Sequence, residues 1–256
     1  MIAISLQSGS NGNCIYVEAG ETRILVDAGI SGKQVERRLG ARGRDPRSLS
    51  AVLVTHDHID HVKCAGIYAR KWGVPVYATE GTFAAARGRF DLGRIAEGRA
   101  FGAGDALEIR GVRVETIPTP HDGTDGVAYT VEHQGTRLGV LTDLGHPFDG
   151  LGEVVSGLDG VFLESNHDER MLAEGPYPAY LKRRIRGPHG HISNEEAAAL
   201  LCAAADHGRL RWACLAHLSA ENNTPEVALA TSARALGGRI ALTVARRDVV
   251  SEAFEI

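Results

Sequence analysis

The chain has 256 residues, of which 43% are hydrophobic and 23% are charged. This composition can supply an ordinary hydrophobic core and excludes a chain that is disordered throughout. The formal net charge of -4 excludes a uniformly basic nucleic-acid-binding protein, although a local basic patch remains compatible with it. The sequence contains no linker, low-complexity tract or repeat, and we therefore predict one domain over residues 1–256.

The N-terminal residues do not have the pattern of a signal peptide, because no long apolar segment follows a basic region. No apolar run approaches the ~20 residues that a membrane-spanning helix needs. The cysteines are scattered and form no Cys-x-x-Cys pair, which argues against a zinc ribbon or a disulfide framework. We therefore expect a cytoplasmic protein that does not bind membranes, and its oligomeric state stays open.

Strands and helices can be predicted in chain order from hydrophobic periodicity and capping residues. Strands are predicted at 2–6, 14–18, 23–27, 51–55, 74–78, 112–117, 127–132, 137–142, 161–164 and 212–216. Helices are predicted after Ser31, near 62–72, over 194–207 with Ser193 or Asn194 as the cap, and from Pro225 onward. Two sheets with helices on their outer faces would satisfy this order.

The strongest functional signal is the segment Thr-His-Asp-His-Ile-Asp-His at 55–61, between a predicted strand and a predicted helix. His56 and His58 are two residues apart and project to the same side in extended backbone. Asp60 and His61 follow where the chain turns into the helix and can face a second point. Imidazole and carboxylate at this spacing suit two adjacent metal ions better than one tetrahedral structural zinc.

Four more candidate ligands come just past apolar strands, where side chains from several strands can converge on one rim. They are Asp27, His121, Asp143 and His217. Each alone has the alternative of being an ordinary turn or surface residue. Their shared position at strand ends makes a common site the better interpretation.

Together these residues resemble the five sequence motifs of the metallo-β-lactamase superfamily. The resemblance implies an α/β fold of the αββα sandwich type, with two mixed β-sheets flanked by helices and a dinuclear metal site. The implied ligands are His56, His58 and His121 for one metal, Asp60, His61 and His217 for the other, and Asp143 as the bridge. Asp27 would lie outside the ligands, orienting one histidine and fixing its tautomer.

Other segments are similar to the YycJ/WalJ-type branch of this superfamily, which acts on DNA as a 5′ to 3′ exonuclease and prefers duplex ends. These segments are 8–14, 163–168, 177–187, 190–194 and 217–223. The resemblance implies a metal-dependent hydrolase of phosphodiester bonds, with little sequence specificity and a role in DNA repair. It implies two divalent metal ions, Mn or Zn, that share an activated hydroxide. The implied partner is DNA, as duplex ends or 5′-phosphorylated strands.

The candidate catalytic residues are Asp60, Asp143 and His191. The first two belong to the implied ligand set. His191 precedes a predicted helix N-terminus and is not needed as a ligand, so it is a candidate to stabilise charge on the phosphate or to protonate the leaving oxygen.

Further residues could contact the substrate backbone or its terminal phosphate. The candidates are Ser8, Asn11, Asn13, His167, Lys182, Arg183, Arg184, Arg186, Ser193 and Asn194. Ordinary alternatives exist for each group: a hairpin connection at 8–13, a structural histidine, a solvated helix face at 182–186, and simple helix capping at 193–194.

Two other functions remain open at this point. The same metal site could hydrolyse a small phosphodiester, a cyclic nucleotide or an ester, which predicts no benefit from DNA length. A non-catalytic metal-binding scaffold is the other alternative, although a scaffold would not need the full ligand set. The residues by themselves identify neither the metal nor the direction of digestion.

Overall fold

The computed structural model describes residues 1–256, whose contacts group them into two compact units. Unit 1 comprises Met1–Pro118, Gly123–Gly135 and Arg246–Ile256, and unit 2 comprises Thr119–Asp122 and Thr136–Ala245. The prediction of a single domain stays a prediction. None of the helices combines the length and apolar character that crossing a bilayer requires.

Unit 1 contains ten strands and four helices. The strands are β1 (Ile2–Gln7), β2 (Cys14–Ala19), β3 (Thr22–Val26), β4 (Ala51–Leu53), β5 (Val76–Thr79), β6 (Gly98–Phe101), β7 (Ala106–Ile109), β8 (Val112–Pro118), β9 (Val127–His133) and, from the C-terminal end, β14 (Phe254–Glu255). The helices are α1 (Gly32–Gly40), α2 (Ile59–Val62), α3 (Ala65–Trp72) and α4 (Glu80–Arg89), with a short 3-10 turn at Pro46–Ser48.

Unit 2 contains four strands and five helices. The strands are β10 (Thr136–Leu141), β11 (Gly160–Glu164), β12 (Trp212–Ala216) and β13 (Ala241–Val244). The helices are α5 (Leu151–Ser156), α6 (Glu169–Glu174), α7 (Ala179–Arg186), α8 (Asn194–Asp206) and α9 (Pro225–Leu236).

The strands form two seven-stranded sheets, ordered β14-β1-β2-β3-β4-β5-β6 and β13-β12-β11-β10-β9-β8-β7. In the first sheet β3 to β6 are parallel, whereas β14, β1, β2 and β3 are antiparallel neighbours. In the second, β7 to β9 are antiparallel and β10 to β13 are parallel. The expectation of two mixed sheets with helices is confirmed.

Most predicted elements are present with shifts of one or two residues. Ser31 caps α1 in a reciprocal capping box, Ser193 does the same for α8, and Pro225 opens α9. The helix predicted near 62–72 is instead broken between α2 and α3. The physical reason is that the Cys64 amide donates to the carbonyl of Ala28 at 2.9 Å, which ties this point of the chain to a different loop.

The glycine-rich loop 8–13 is bound through its backbone to helix α2 and to the loop that follows β3. The Asn13 amide donates to the Asp60 carbonyl at 2.8 Å, and the Gly29 amide donates to the Asn13 carbonyl at 2.9 Å. A Cβ atom on Gly29 would lie 1.6 Å from the Asp60 carbonyl oxygen. This close approach requires glycine, and it holds the loop against the histidine-rich segment.

We expect Gly29→Ala to lower the free energy of unfolding by about 3 kcal/mol, because the added methyl group overlaps the Asp60 backbone. Urea unfolding measures the difference. Gly40→Ala is the matched control: a Cβ there meets no atom within 4 Å, and the expected change is at most about 1 kcal/mol. Equal stability of the two variants would contradict this packing.

Candidate metal centre

The histidine-rich segment of unit 1 leaves β4 and enters α2. His56 and His61 are buried, and His58, which precedes the first residue of α2, is half-buried, as is Asp60. The ring of His56 lies 4.5 Å from that of His58 and 4.2 Å from that of His61, measured between centroids. The structure thus brings these four predicted ligands of unit 1 together, and we call them the unit 1 cluster.

Asp27 anchors the unit 1 cluster from the end of β3, which is parallel to β4. Its Oδ1 accepts hydrogen bonds from the Thr55 amide and hydroxyl, each at 2.9 Å. Its Oδ2 lies 2.6 Å from His61 Nδ1. A carboxylate can only accept here, so Nδ1 of His61 carries the proton and Nε2 presents a lone pair. The resemblance implied a contact of this kind for Asp27, and the role of His61 as a metal ligand stays a prediction.

Asp57 lies between His56 and His58 in the sequence and contacts a different part of unit 1. The Asp57 side chain forms an ion pair with Arg89 and accepts a hydrogen bond from the Thr124 amide at 2.7 Å. A Cβ on Gly123 would lie 2.7 Å from the His56 ring, so the loop beside Thr124 packs directly on that ring. Asp57 therefore holds the loop that supports His56.

Unit 2 gathers a second set of titratable side chains at the carboxyl ends of parallel strands. Asp143 follows β10, Glu164 ends β11 and His217 follows β12. These three residues and His191 offer ligand atoms that all lie within 4.8 Å of one another. Together with His121 they form what we call the unit 2 cluster. Because the carboxyl ends of adjacent parallel strands meet at one edge of a sheet, the topology by itself brings three of these side chains together.

Asp27, Asp143 and His217 have positive φ angles of 68°, 58° and 55°. Residues other than glycine adopt this conformation rarely, and such strain concentrates at functional sites. In each case the unusual backbone comes within two residues of the end of a strand. Three of the strand-end positions that the sequence indicated therefore share this unusual backbone conformation.

Glu164 organises the unit 2 cluster and was missed by the sequence analysis. Its Oε1 lies 2.7 Å from His191 Nδ1 and 3.3 Å from His217 Nδ1. Its Oε2 accepts hydrogen bonds from the amides of Leu144 at 3.0 Å and Ile192 at 3.3 Å. Burial alone would raise the pKa of Glu164, but His191 and His217 outweigh it and hold that pKa well below its usual range. In the sequence, the feature that could have identified Glu164 is an acidic residue at the end of an apolar strand.

The ring orientation of His121 is also determined locally. Its Nδ1 donates to the carbonyl of Gly190 at 2.7 Å, and its Nε2 lies 3.6 Å from Asp143 Oδ1. Burial lowers the pKa of His121, which keeps the imidazole neutral near pH 7. A neutral ring with a directed lone pair is the form that binds a metal.

The donor sets of both clusters fit a divalent metal ion. Imidazoles whose ring nitrogens are directed by hydrogen bonds stand beside carboxylates, the combination that binds zinc and manganese. The supporting carboxylates Asp27 and Glu164 have the partner arrangement expected behind metal-binding histidines. The residues of both clusters therefore support the binding of divalent metal.

The predicted substrate-binding residues of unit 1 lie on the glycine-rich loop. Ser8 is buried, and its hydroxyl lies 3.5 Å from Asn13 Oδ1. Asn11 is exposed and donates to the Arg247 carbonyl at 3.3 Å. Asn13 is buried, and its amide nitrogen faces Asp60 and His61. The loop thus meets the unit 1 cluster through Asn13.

Three predicted substrate-binding residues of unit 2 have structural partners around α8. Ser193 accepts from the Glu196 amide as the helix cap. Asn194 is fully buried, and its side chain bonds to Ser165 and Asn223. His167 is buried, its carbonyl accepts from the Asn194 amide, and burial lowers the pKa of its ring. These contacts match the ordinary alternatives, and substrate contact by these residues stays a prediction.

The basic residues of α7 differ in their partners. Arg184 pairs with Asp122 at 2.6 Å, and Arg186 pairs with Glu169 at 2.9 Å. Lys182 donates to the Ala173 carbonyl at 2.8 Å. The Arg183 side chain is exposed and forms no ion pair or hydrogen bond within the chain. The cluster of charges is therefore partly neutralised, and only Arg183 keeps an unpaired guanidinium.

Comparison with known proteins identifies the family. The model of the beta-lactamase superfamily domain matches residues 22–217. The exodeoxyribonuclease YycJ of Bacillus anthracis is 38% identical over 225 residues, which cover 87% of this chain and 84% of that protein. The exodeoxyribonuclease WalJ of Streptococcus pneumoniae (serotype 2, strain D39) is 36% identical and covers 87% and 83%.

Solved structures show the same fold. The metallo-beta-lactamase fold protein YhfI from Bacillus subtilis superposes with a TM-score of 0.75 at 15% identity, covering 98% of this chain and all of that one. Zn(2+)-bound PqqB from Methylobacterium extorquens gives 0.72 at 20% identity, with 98% and 100% covered. The resemblance inferred from the motifs is confirmed: the chain belongs to the β-lactamase superfamily and is similar within it to the YycJ and WalJ exodeoxyribonucleases.

Proposed function

We propose that this protein is a metal-dependent DNA exonuclease that digests 5′ to 3′ from duplex ends, or from 5′-phosphorylated strands, with little sequence specificity. The observation that carries the proposal is the similarity to YycJ and WalJ over most of both chains. The imidazole and carboxylate clusters supply the chemistry that such a reaction needs. The four free cysteines support a cytoplasmic location.

The proposed enzyme holds two divalent metal ions, manganese or zinc. The ligands would be those implied by the motifs: His56, His58 and His121 for one ion, Asp60, His61 and His217 for the other, with Asp143 between them. When bound, such a pair of ions activates water as a nucleophile and stabilises negative charge on the phosphate. The directed lone pairs of His61, His121 and His217 support this assignment.

We assign His191 to proton transfer. Its Nδ1 donates to ionised Glu164, so Nε2 is the nitrogen that can exchange a proton with the substrate. The His191 side chain is 17% exposed, compared with 1% for His121 and 4% for His217. Of these three imidazoles it is the one that solvent and substrate reach most easily. It would protonate the oxygen of the leaving nucleotide as the P–O bond breaks.

We assign backbone contact chiefly to Arg183 among the α7 cations. Its guanidinium has no internal partner to give up, whereas Arg184 and Arg186 would have to exchange carboxylates for phosphates. Contacts of this kind position the strand without reading its bases. This accounts for the low sequence specificity in the proposal.

A nuclease assay tests the function directly. Duplexes labelled at either end, with a 5′-phosphate or a 5′-hydroxyl, are incubated with the protein and Mn²⁺ or Zn²⁺. Stepwise shortening from the 5′ end supports the proposal. Hydrolysis of a chromogenic diester with no benefit from DNA length would instead favour a small diester, cyclic nucleotide or ester as substrate, and metal binding without hydrolysis would favour a scaffold.

We expect His58→Ala and Asp143→Ala each to reduce DNA hydrolysis below detection, because each removes a proposed ligand. Elemental analysis should find about two metal ions per chain in the unchanged protein and fewer in the variants. His207→Ala is the control, since His207 is exposed at the end of α8. An active protein that holds one ion per chain and gains nothing from added metal would contradict the dinuclear site.

His191→Ala should keep the metal content and lower turnover by about 10²- to 10⁴-fold, the usual contribution of a general acid. Glu164→Gln should lower turnover as well. It should also lower the free energy of unfolding by about 1–3 kcal/mol, because the amide cannot accept from all four donors that face Glu164. A loss confined to KM in His191→Ala would assign the residue to substrate positioning, and loss of a metal would make it a ligand.

Arg183→Gln should reduce the slope of log Kd for duplex DNA against log salt concentration by roughly 0.9, the value of one phosphate contact. Arg186→Gln should change the slope less, because Glu169 already neutralises that guanidinium. Binding is measured with a catalytically inactive Asp143→Ala background. Equal slopes for the two variants would argue against a special role of the unpaired arginine.

A further inference from the structure

We propose that Asn13 is a positioning residue for the metal ligands Asp60 and His61, which reassigns it from the substrate contact that the sequence suggested. The inference rests on the proposed metal binding. Asn13 Nδ2 lies 3.2 Å from Asp60 Oδ2 and 2.9 Å from His61 Nε2. One side-chain amide therefore faces the ligand atoms of two neighbouring members of the unit 1 cluster.

The orientation of the Asn13 amide follows from its other end. Asn13 Oδ1 lies 2.8 Å from the Gly9 backbone nitrogen, which can only donate. The oxygen must therefore face Gly9, and the NH₂ group must face Asp60 and His61. An exchange of the two amide atoms would place a donor against a donor.

The acceptor state of His61 is determined independently. Its Nδ1 donates to Asp27, which leaves the Nε2 lone pair as an acceptor for Asn13. The carboxylate of Asp60 is an acceptor as well. Because the Asn13 NH₂ group has two hydrogens, it can serve both atoms at once.

Backbone hydrogen bonds fix the position of Asn13 relative to Asp60 and His61. The backbone N–H of Asn13 donates to the backbone carbonyl of Asp60, and the backbone carbonyl of Asn13 accepts from the backbone N–H of Gly29. The side chain is only 5% exposed. The loop, Asp60 and His61 are therefore one rigid assembly, which holds Asp60 Oδ2 and His61 Nε2 3.5 Å apart.

This arrangement prepares two ligand atoms before a metal arrives. A metal ion takes the His61 lone pair from the amide, while the hydrogen bond to Asp60 can persist and keep that carboxylate in place. Partners that orient ligands in this way typically contribute 10- to 100-fold to metal affinity. Asn13 thus acts on metal binding through Asp60 and His61, without touching DNA.

The test is a titration of the EDTA-stripped protein with Mn²⁺ in competition with a chelating dye. Asn13→Ala should weaken one binding step by about 10- to 100-fold and leave the other unchanged. At saturating Mn²⁺ the KM for duplex DNA should stay at the value of the unchanged protein, while the Mn²⁺ concentration for half-maximal activity rises. Ser10→Ala is the matched control, because Ser10 lies on the same loop, is exposed and contacts only Arg247 through its side chain, so the metal affinity and the KM should both stay unchanged.

Three results would overturn the proposal. They are unchanged metal affinity in Asn13→Ala, tighter binding because the amide merely competes with the metal, and a raised KM for DNA at saturating metal. The unfolding midpoint of the metal-free variant is measured alongside. If Asn13→Ala fails to fold, Asn13→Ser replaces it, because serine keeps a polar side chain but lacks the NH₂ group that faces both ligands. Absence of Mn²⁺ uptake by the unchanged protein would instead contradict the proposed function itself.

Discussion

Each cluster depends on one buried carboxylate, Asp27 in unit 1 and Glu164 in unit 2, that holds a histidine ring in a single tautomer. A buried charge is costly unless hydrogen bonds compensate it. Hydrogen bonds compensate the charge of both carboxylates in the same way. Each accepts from a backbone amide of a nearby segment and from the Nδ1 of an imidazole. The hydrogen bonds that offset the cost of burying each carboxylate therefore also orient the ring, with its Nε2 pointing away from that carboxylate. The same contacts thus serve both the stability of the fold and the chemistry of the cluster.

Parallel strand topology explains why the functional side chains gather in each unit. In unit 1 the ends of β3 and β4 place Asp27 beside Thr55. In unit 2 the ends of β10, β11 and β12 do the same for Asp143, Glu164 and His217. The positive φ angles of Asp27, Asp143 and His217 then turn the chain sharply at these ends. Strain of this kind is maintained by the rigid strands before it and the hydrogen bonds after it.

The distribution of charge gives a consistent account of how an acidic chain acts on DNA. Its net charge of -4 does not favour binding over a broad surface. On α7, Arg184 and Arg186 are paired with Asp122 and Glu169 and Lys182 is bonded to the Ala173 carbonyl, so the proposed function assigns phosphate contact on this helix chiefly to Arg183. Under the proposed function, contacts of this kind to phosphates would position a strand without reading its bases.

The sequence by itself determined the features that depend on neighbours along the chain. Alternation in the histidine-rich segment, apolar runs ending in ligand-type residues, and the caps at Ser31 and Ser193 are local patterns, and they predicted the family, the strands and the ligand candidates. Only the tertiary structure decided which partners distant residues take. Glu164 reaches His191 and His217, Asn13 reaches Asp60 and His61, and Arg186 meets Glu169. Hydrophobic periodicity specifies which face of an element is buried, but a hydrogen bond between side chains needs a distance and a direction that arise only once the strands and loops have packed.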